Sequence, residues 1–348
     1  MMKIAQRAQR IEPFYVMEVA KAAAERAALV AHTDAPMIFL NIGEPDFTAP
    51  PLVQEAAARA VHDGVTQYTP ALGIPELRER ISAWYSTRFG VNVPARRIVI
   101  TAGASAALQL ACLALIEAGD EVLMPDPSYP CNRHFVSAAE GRAVLVPTSA
   151  ADRFQLNAAQ VRDHWSPHTR GVLLASPSNP TGTSIHPHAL RDIHAEVSHR
   201  GGVTLIDEIY LGLSYDAEFG HTALALDDHI ISINSFSKYF NMTGWRLGWM
   251  VVPEALVPVI ERLAQNIFIC PSTLAQHACA NTARTGTRVR GDSVPRLRKK
   301  RPSRAMAKGT REFASTLACK ELSEETMSAA AMNVTATGPA KVLIASAA

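Results

Sequence analysis

The five cysteines, Cys112, Cys131, Cys270, Cys279 and Cys319, include no Cys-x-x-Cys pair and no ligand-like spacing with histidine. A disulfide framework and a cysteine–histidine zinc site are set aside on that ground, and the thiols are expected to be free and buried in a reducing cytosol. Charge of one sign is also lacking. The 34 Lys and Arg nearly balance the 32 Asp and Glu, and a net charge of +2 offers no field to nucleic acid or to an acidic partner. No apolar run is long enough to span a membrane, and the N-terminal stretch with Lys3, Arg7 and Arg10 has no continuous apolar core of a signal peptide. The expectation is a cytoplasmic chain with no membrane and no nucleic-acid partner. His186-Pro187-His188 comes nearest to a metal-ligand pair, but the intervening proline suits a loop, and no metal is expected.

Apolar bulk and alternation are present instead. At 348 residues and 48% hydrophobic content the chain can bury a large core and is expected to divide into two lobes. From residue 51 to about 280, helical periodicity at 76–85, 105–117, 188–199 and 254–266 is interleaved with apolar strand-like runs at 97–101, 121–124, 171–175, 203–206, 230–233 and 247–252. Such alternation predicts an α/β fold with a mainly parallel sheet covered on both faces and ligands held by the loops that follow strands. Residues 16–31 read as an alanine-rich helix.

The run Ser235-Phe236-Ser237-Lys238-Tyr239-Phe240-Asn241-Met242-Thr243-Gly244-Trp245-Arg246 carries the most chemistry. It places an amine among hydroxyls, eight residues before an arginine, between two strand-like segments. A lysine there can form an imine with a carbonyl while Ser235, Ser237 and Arg246 hold an anion, the two tasks of a pyridoxal phosphate site. Upstream, Ser178-Asn179-Pro180-Thr181-Gly182 follows one apolar run and Asp207-Glu208-Ile209-Tyr210 follows another. Ala102-Gly103-Ala104-Ser105 opens a helix after a strand, where free N–H groups make an anion site. Gly103 allows close approach, and Ser105 can cap the helix or touch the anion.

In this order the motifs resemble those of the fold-type I, class I/II pyridoxal phosphate-dependent aminotransferases. The resemblance implies a three-layer large domain and a smaller α+β domain drawn from both termini, with boundaries at 1–45, 46–280 and 281–348. It also assigns roles. Lys238 would hold the cofactor and act as general base, and Asp207 would pair with the pyridine nitrogen. Asn179 and Tyr210 would donate to the ring's phenolate oxygen. Gly103, Ala104, Ser105, Ser235, Ser237 and Arg246 would clamp the phosphate. Tyr129, in Asp126-Pro127-Ser128-Tyr129-Pro130, would stack on the ring. Gly43, in Leu40-Asn41-Ile42-Gly43-Glu44-Pro45-Asp46-Phe47, would lie against the substrate carboxylate together with Asn179. Tyr68, in Gln67-Tyr68-Thr69-Pro70-Ala71-Leu72-Gly73, would reach the phosphate of a neighbouring subunit, which implies a homodimer. The implied reaction moves an amino group between an amino acid and a 2-oxo acid by a ping-pong route. The same motifs suit a carbon–sulfur β-lyase, the alternative within this cofactor class.

Beyond about residue 281 the resemblance fades. Residues 284–304 hold nine Lys or Arg against the single acid Asp292, and 314–348 is rich in Ala, Ser and Thr. The family's P-x-G-x-F-Y segment is missing, and Leu343 stands where its substrate-carboxylate arginine would be, with Lys341 as the nearest stand-in. A divergent small domain, a basic nucleic-acid arm and an internal deletion or frame change compete for this tail. The last is favoured, and it keeps a cofactor-binding pseudoenzyme as a further alternative.

Overall fold

The computed structural model describes residues 2–214, 216–281 and 342–343. The chain divides into two compact units, Met1–Glu12 with Glu44–Arg288, and Pro13–Gly43 with Val289–Ala348. The strands are, in chain order, β1 (Ile38–Phe39), β2 (Ile98–Thr101), β3 (Glu121–Asp126), β4 (Arg142–Pro147), β5 (Thr169–Ala175), β6 (Val203–Asp207), β7 (Ile231–Ser235), β8 (Gly248–Val251) and β9 (Val342–Leu343). In the second unit the helix Tyr15–Val30 precedes β1, which pairs in parallel with β9 through Ile38↔Val342 and Phe39↔Leu343.

The first unit is built on a seven-stranded sheet of order β2-β8-β7-β6-β5-β3-β4. Strands β7, β6, β5, β3 and β4 are parallel, whereas β8 runs antiparallel to both β2 and β7. Side chains alternate between the faces of each strand, and both sets find an apolar partner. Val122, Met124, Leu173, Leu205, Ile231 and Ile233 join one cluster with Ala107, Leu110 and Ala111 of the helix Gly103–Leu115. The opposite phase, Leu123, Val172, Leu174 and Ile206, packs with Leu190, Ile193 and Val197 of the helix Pro187–His199. At the other end of that face Ile98, Ile100, Trp249 and Val251 meet Leu77, Ile81 and Tyr85 of the helix Pro75–Phe89. Burial on both faces explains why the strands read as continuous apolar runs instead of alternating ones. The architecture is the three-layer, mainly parallel α/β fold.

Local chemistry sets the helix bounds. Pro51, Pro75 and Pro187 open their helices, where a missing N–H costs nothing. Gly90 closes the helix Pro75–Phe89 in the left-handed region at φ 69°. The loop reading of His186-Pro187-His188 is corrected here, because this segment starts a helix. His186 caps it, its ring Nδ1 accepting the His188 N–H at 3.2 Å. The cysteine expectation is also corrected in part: Cys112 is buried, but Cys131, Cys270 and Cys279 are half-buried, and none of these four is in a disulfide. Cys319, the basic run 284–304 and Lys341 lie outside the described residues. No helix among the described residues is long and apolar enough to cross a membrane.

Two strands that matter for the site approach with little room. A Cβ added at Gly171, in β5, would lie 2.1 Å from the Val203 carbonyl oxygen of β6. Glycine in a strand interior commonly marks such a contact. Gly171→Ala is therefore expected to spread β5 from β6 and to lower unfolding stability by about 2 kcal/mol, the usual cost of overpacking. A urea titration of the variant checks this; an unchanged midpoint would show that the strands yield freely.

Candidate active site

Register brings the expected residues to one place. Ala175 of β5 pairs with Asp207 of β6, and Asp207 pairs with Ile233 of β7. The loops carrying Asn179, Tyr210 and Lys238 therefore leave three neighbouring strands at one level. On the antiparallel side Thr101 of β2 and Ser235 of β7 both pair with Gly248 of β8. That shared partner sets the start of the helix Gly103–Leu115 beside Ser235 and beside Arg246, which lies just before β8. Ligands in open α/β sheets bind outside the carboxyl ends of strands, and the aligned ends of β5, β6 and β7 form such a place.

Asp207 is 7% exposed, and its carboxylate Oδ1 accepts the Ile209 N–H at 3.0 Å. Burial pushes its pKa up to about 6, with the Ile209 hydrogen bond as a partial offset. No cation among the described residues contributes to the balance. Tyr210, half-buried, is raised by burial and then by the Asp207 charge, and the Asn179 amide, donating to its hydroxyl at 3.4 Å, opposes the shift. Tyr129 lies in the turn after β3. Its hydroxyl is raised by burial, by its hydrogen bond to Cys131 and by the charges of Cys131, Tyr210 and Asp207. Asn179, Asp207, Tyr210 and Tyr129 thus form one electrostatic neighbourhood.

The other half of the site is basic. Lys238 is half-buried, and its pKa is lowered, first by burial and also by Arg246 beside it, against an upward pull from Glu44. Its amine gives up a proton more readily than an exposed lysine's. Arg246 is held in the left-handed region at φ 51°, its Nη1 donating to the Thr243 carbonyl at 2.9 Å. Gly103 has φ +80°, and a Cβ there would stand 2.7 Å from Arg246 Nη2. A Cβ at Gly248 would meet Gly103 C at 2.7 Å and Ala104 N at 2.9 Å. Two glycines thus allow a helix start, an arginine and a strand end to converge.

The helix begins after Ala102, which offers no side-chain acceptor, so the N–H groups of the first turn remain available. Ser105 is exposed in that turn and does not cap the helix; this corrects the capping half of its reading. Ser235, 1% exposed, donates from its hydroxyl to Ser237 Oγ at 2.9 Å and accepts the Ser237 N–H at 3.1 Å. The two serines are therefore one unit at the root of the lysine loop.

These residues fit pyridoxal phosphate. A helix N-terminus, a guanidinium and hydroxyls make an anion cradle that a Cβ at Gly103 would invade. The buried Asp207 lacks the cation that a protonated pyridine nitrogen would provide. Two expected residues stand apart from this cluster. Tyr68 is 80% exposed, although the backbone around it is pinned, with Thr273 Oγ1 donating to the Gln67 carbonyl at 2.7 Å and Gln276 Nε2 to Thr69 Oγ1 at 2.9 Å. Gly43 is the last residue of the second unit's N-terminal stretch.

Several contributors carry no signal in the sequence. Gln155 Nε2 donates to the Ala175 carbonyl at 3.1 Å and the Thr183 carbonyl at 3.0 Å, clamping both roots of the loop that bears Asn179. Glu44 accepts the Thr243 hydroxyl and, with Phe47, Asn241 and Trp245, lines a cavity of about 790 Å³. A lone Gln or Glu gives no spacing to read. Only the motif around Glu44 marked its neighbourhood.

The sequence pattern of the family "Aminotransferase class I and II" matches residues 35–323. A valine–pyruvate aminotransferase of Mycobacterium tuberculosis is 44% identical over 273 residues, 78% of this chain and 69% of that protein. A probable N-acetyl-LL-diaminopimelate aminotransferase of Bacillus subtilis is 36% identical over 251 residues, 72% of this chain and 64% of that one. Among solved structures, an aminotransferase from Mycobacterium tuberculosis superposes with a TM-score of 0.77 at 40% identity, covering 84% of this chain and 74% of its own. Thermus thermophilus aspartate aminotransferase with maleate gives 0.74 at 29% identity, covering 82% and 74%. With its sheet, its strand-end cluster and these likenesses agreeing, the chain belongs to the aminotransferase class I and II family, the pyridoxal phosphate-dependent transaminases.

Proposed function

We propose that Lys238 is the residue that attaches pyridoxal phosphate, and that the site around it exchanges an amino group between an amino acid and a 2-oxo acid. The observation that carries this reading is the sealed, cation-free Asp207 at the level from which the Asn179, Tyr210 and Lys238 loops emerge. Bound there, the cofactor supplies an aldehyde for the lysine amine and an electron-accepting ring that stabilises a carbanion at the substrate Cα.

The remaining chemistry belongs to the chain. Lys238 Nζ, its proton loosened by burial and by Arg246, takes the proton from Cα as general base. Asp207 offers a carboxylate whose ionised form needs a cationic partner. Asn179 and Tyr210 direct an amide and a hydroxyl to one point, and Tyr129 limits tilt by covering a face. Arg246, the N–H groups at Gly103, Ala104 and Ser105, and the Ser235–Ser237 pair grip the phosphate.

The functional species in this reading is a homodimer, to which the exposed Tyr68 lends support: its ring stands 80% exposed on a backbone that is fixed. Four cysteines that form no disulfide support a reducing, cytoplasmic setting. Small-domain boundaries at 1–45 and 281–348 belong to the same proposal, as does Gly43 as a contact of the substrate carboxylate. The name of the relative that is 44% identical makes valine with pyruvate the first donor–acceptor pair to assay.

Two experiments test these roles. Borohydride reduction of cofactor-saturated protein followed by peptide mapping is expected to leave a pyridoxyl label on Lys238. Lys238→Ala should lose both the label and turnover; a labelled peptide elsewhere removes the assignment. The second concerns Asp207, whose folded pKa of about 6 lies above its ordinary 3.8. The folded, cofactor-free chain holds that proton more tightly than the unfolded chain, so this group's contribution to stability falls as pH rises from about 4 to about 6 and stays low above. Asp207→Asn should thus stabilise the cofactor-free protein at pH 8 by something on the order of 2 kcal/mol. The same change should cost the loaded enzyme about a hundredfold in turnover. Equal urea midpoints for both proteins at pH 8 would show that Asp207 is not strained by burial.

A further inference from the structure

Glu208 follows Asp207 directly and has no part in the roles assigned above. It is 1% exposed, yet its partners are all neutral. Oε1 accepts the Ala223 N–H at 2.7 Å, and Oε2 accepts the Thr222 hydroxyl at 2.8 Å and the Ser232 hydroxyl at 2.6 Å. Its own N–H donates to the Ile233 carbonyl at 2.7 Å. One side chain therefore ties the turn that carries Asp207 and Tyr210 to the short 3-10 turn Ala223–Ala225 and to β7, the strand that leads into Ser235 and Lys238.

Strand pairing alone does not call for this. β6 and β7 already pair through Leu205↔Ile231, Ile206↔Ser232 and Asp207↔Ile233. A buried carboxylate without a cation is costly, and an apolar side chain packed there would avoid the cost. What the three bonds add is a tie from the first residue beyond the last pair of β6 back to Ser232 within β7 and across to the turn at Thr222 and Ala223, which strand pairing does not reach. A flat ring held by Asp207 at one edge and by Lys238 at the other needs such a tie, because small misplacements of reacting groups are expensive. Fully satisfied buried networks are rigid in the way this demands.

We propose that Glu208 is a positioning residue of the cofactor site, whose three hydrogen bonds set the distance between the Asp207 arm and the Lys238 arm. The proposal rests on the roles given to Asp207 and Lys238 in the preceding subsection. Isosteric replacement separates bonds from charge. In Glu208→Gln the amide oxygen can face the Ala223 N–H while the amide nitrogen faces two hydroxyls, which can rotate to accept. All three contacts survive and the charge is lost. Glu208→Ala removes the contacts, and Ser232→Ala removes the side-chain link to β7 together with the hydroxyl's bond to Tyr85.

The test titrates pyridoxal phosphate into each purified full-length chain by visible absorbance. It reads the dissociation constant and the pH at which the bound cofactor's absorbance changes. Glu208→Ala is expected to weaken binding about tenfold and to move the pH midpoint, Glu208→Gln to stay within about twofold of wild type on both, and Ser232→Ala to fall between. A folded Glu208→Ala protein with wild-type constant and midpoint overturns the proposal. So does a Glu208→Gln protein as impaired as Glu208→Ala, since the charge and not the bonds would then matter. Should Glu208→Ala not fold, a Ser232→Ala protein with wild-type values overturns it instead. Borohydride mapping of wild type is the separate control: absence of label at Lys238 strikes the underlying site, whereas label at Lys238 with unmoved variants strikes Glu208 alone.

Discussion

A carboxylate sealed away from water at the end of a central strand, with no cationic partner among the described residues, is the constraint around which this site is arranged. Asp207 can be tolerated there because the sheet on which it stands is buried on both faces and rigid, with Leu205 and Ile206 beneath it packed into opposite clusters. The same burial that makes the carboxylate costly makes it discriminating. Water cannot screen it, so a protonated ring nitrogen is bound far more strongly than it would be on a surface. Neighbours inherit the consequence, and the Asp207 charge contributes to the raised pKa of both Tyr210 and Tyr129. The lysine half of the site is depressed and the acid half is raised. Opposed shifts of this kind are a common mark of groups that exchange protons.

Local backbone features serve this arrangement. Gly103 in the left-handed region lets the helix start approach Arg246, and Gly248 keeps β8 close to that start. Gln155 closes the loop that holds Asn179, and Gln276 steadies the segment around Tyr68 through Thr69 Oγ1 while its Oε1 accepts the Ile74 N–H at 2.9 Å. These contacts lie away from the reacting groups and cross between elements far apart in the chain. The site is a set of loops tied back at their roots, in keeping with a function carried by loops on a rigid scaffold.

Much of this was legible from residues alone, for identifiable reasons. The runs at 171–175 and 203–206 read as buried strands because both faces are covered, and the structure places β5 and β6 there. The lysine, aspartate, asparagine and tyrosine were readable because each belongs to a short motif just past such a run. Strand β4, by contrast, went unread. It sits at the sheet edge, begins with the exposed Arg142 and is only partly buried, although its run 143–146 is as apolar as those of the inner strands. The helix read from residue 188 in fact opens at Pro187 with His186 as its cap, a start given to a loop because proline was taken as a breaker, when at a first helical position it is a starter. Glu208 was visible as a motif letter, but its three donors come from positions 222, 223 and 232, a meeting that only the folded sheet creates.

The antiparallel strand β8 has a consequence for how this chain can vary. Ser235 and Gly248 face each other as a pair, so the segment that leaves at one and returns at the other is pinned at both ends to the same rung. The loop's interior is held as well: Phe236 and Met242 are buried, the Met242 N–H donates to the Phe236 carbonyl at 3.1 Å, and the Thr243 carbonyl accepts from Arg246. Lys238 and Arg246 therefore stand on a segment whose length is set from both ends and from within, and an insertion there would be felt by both.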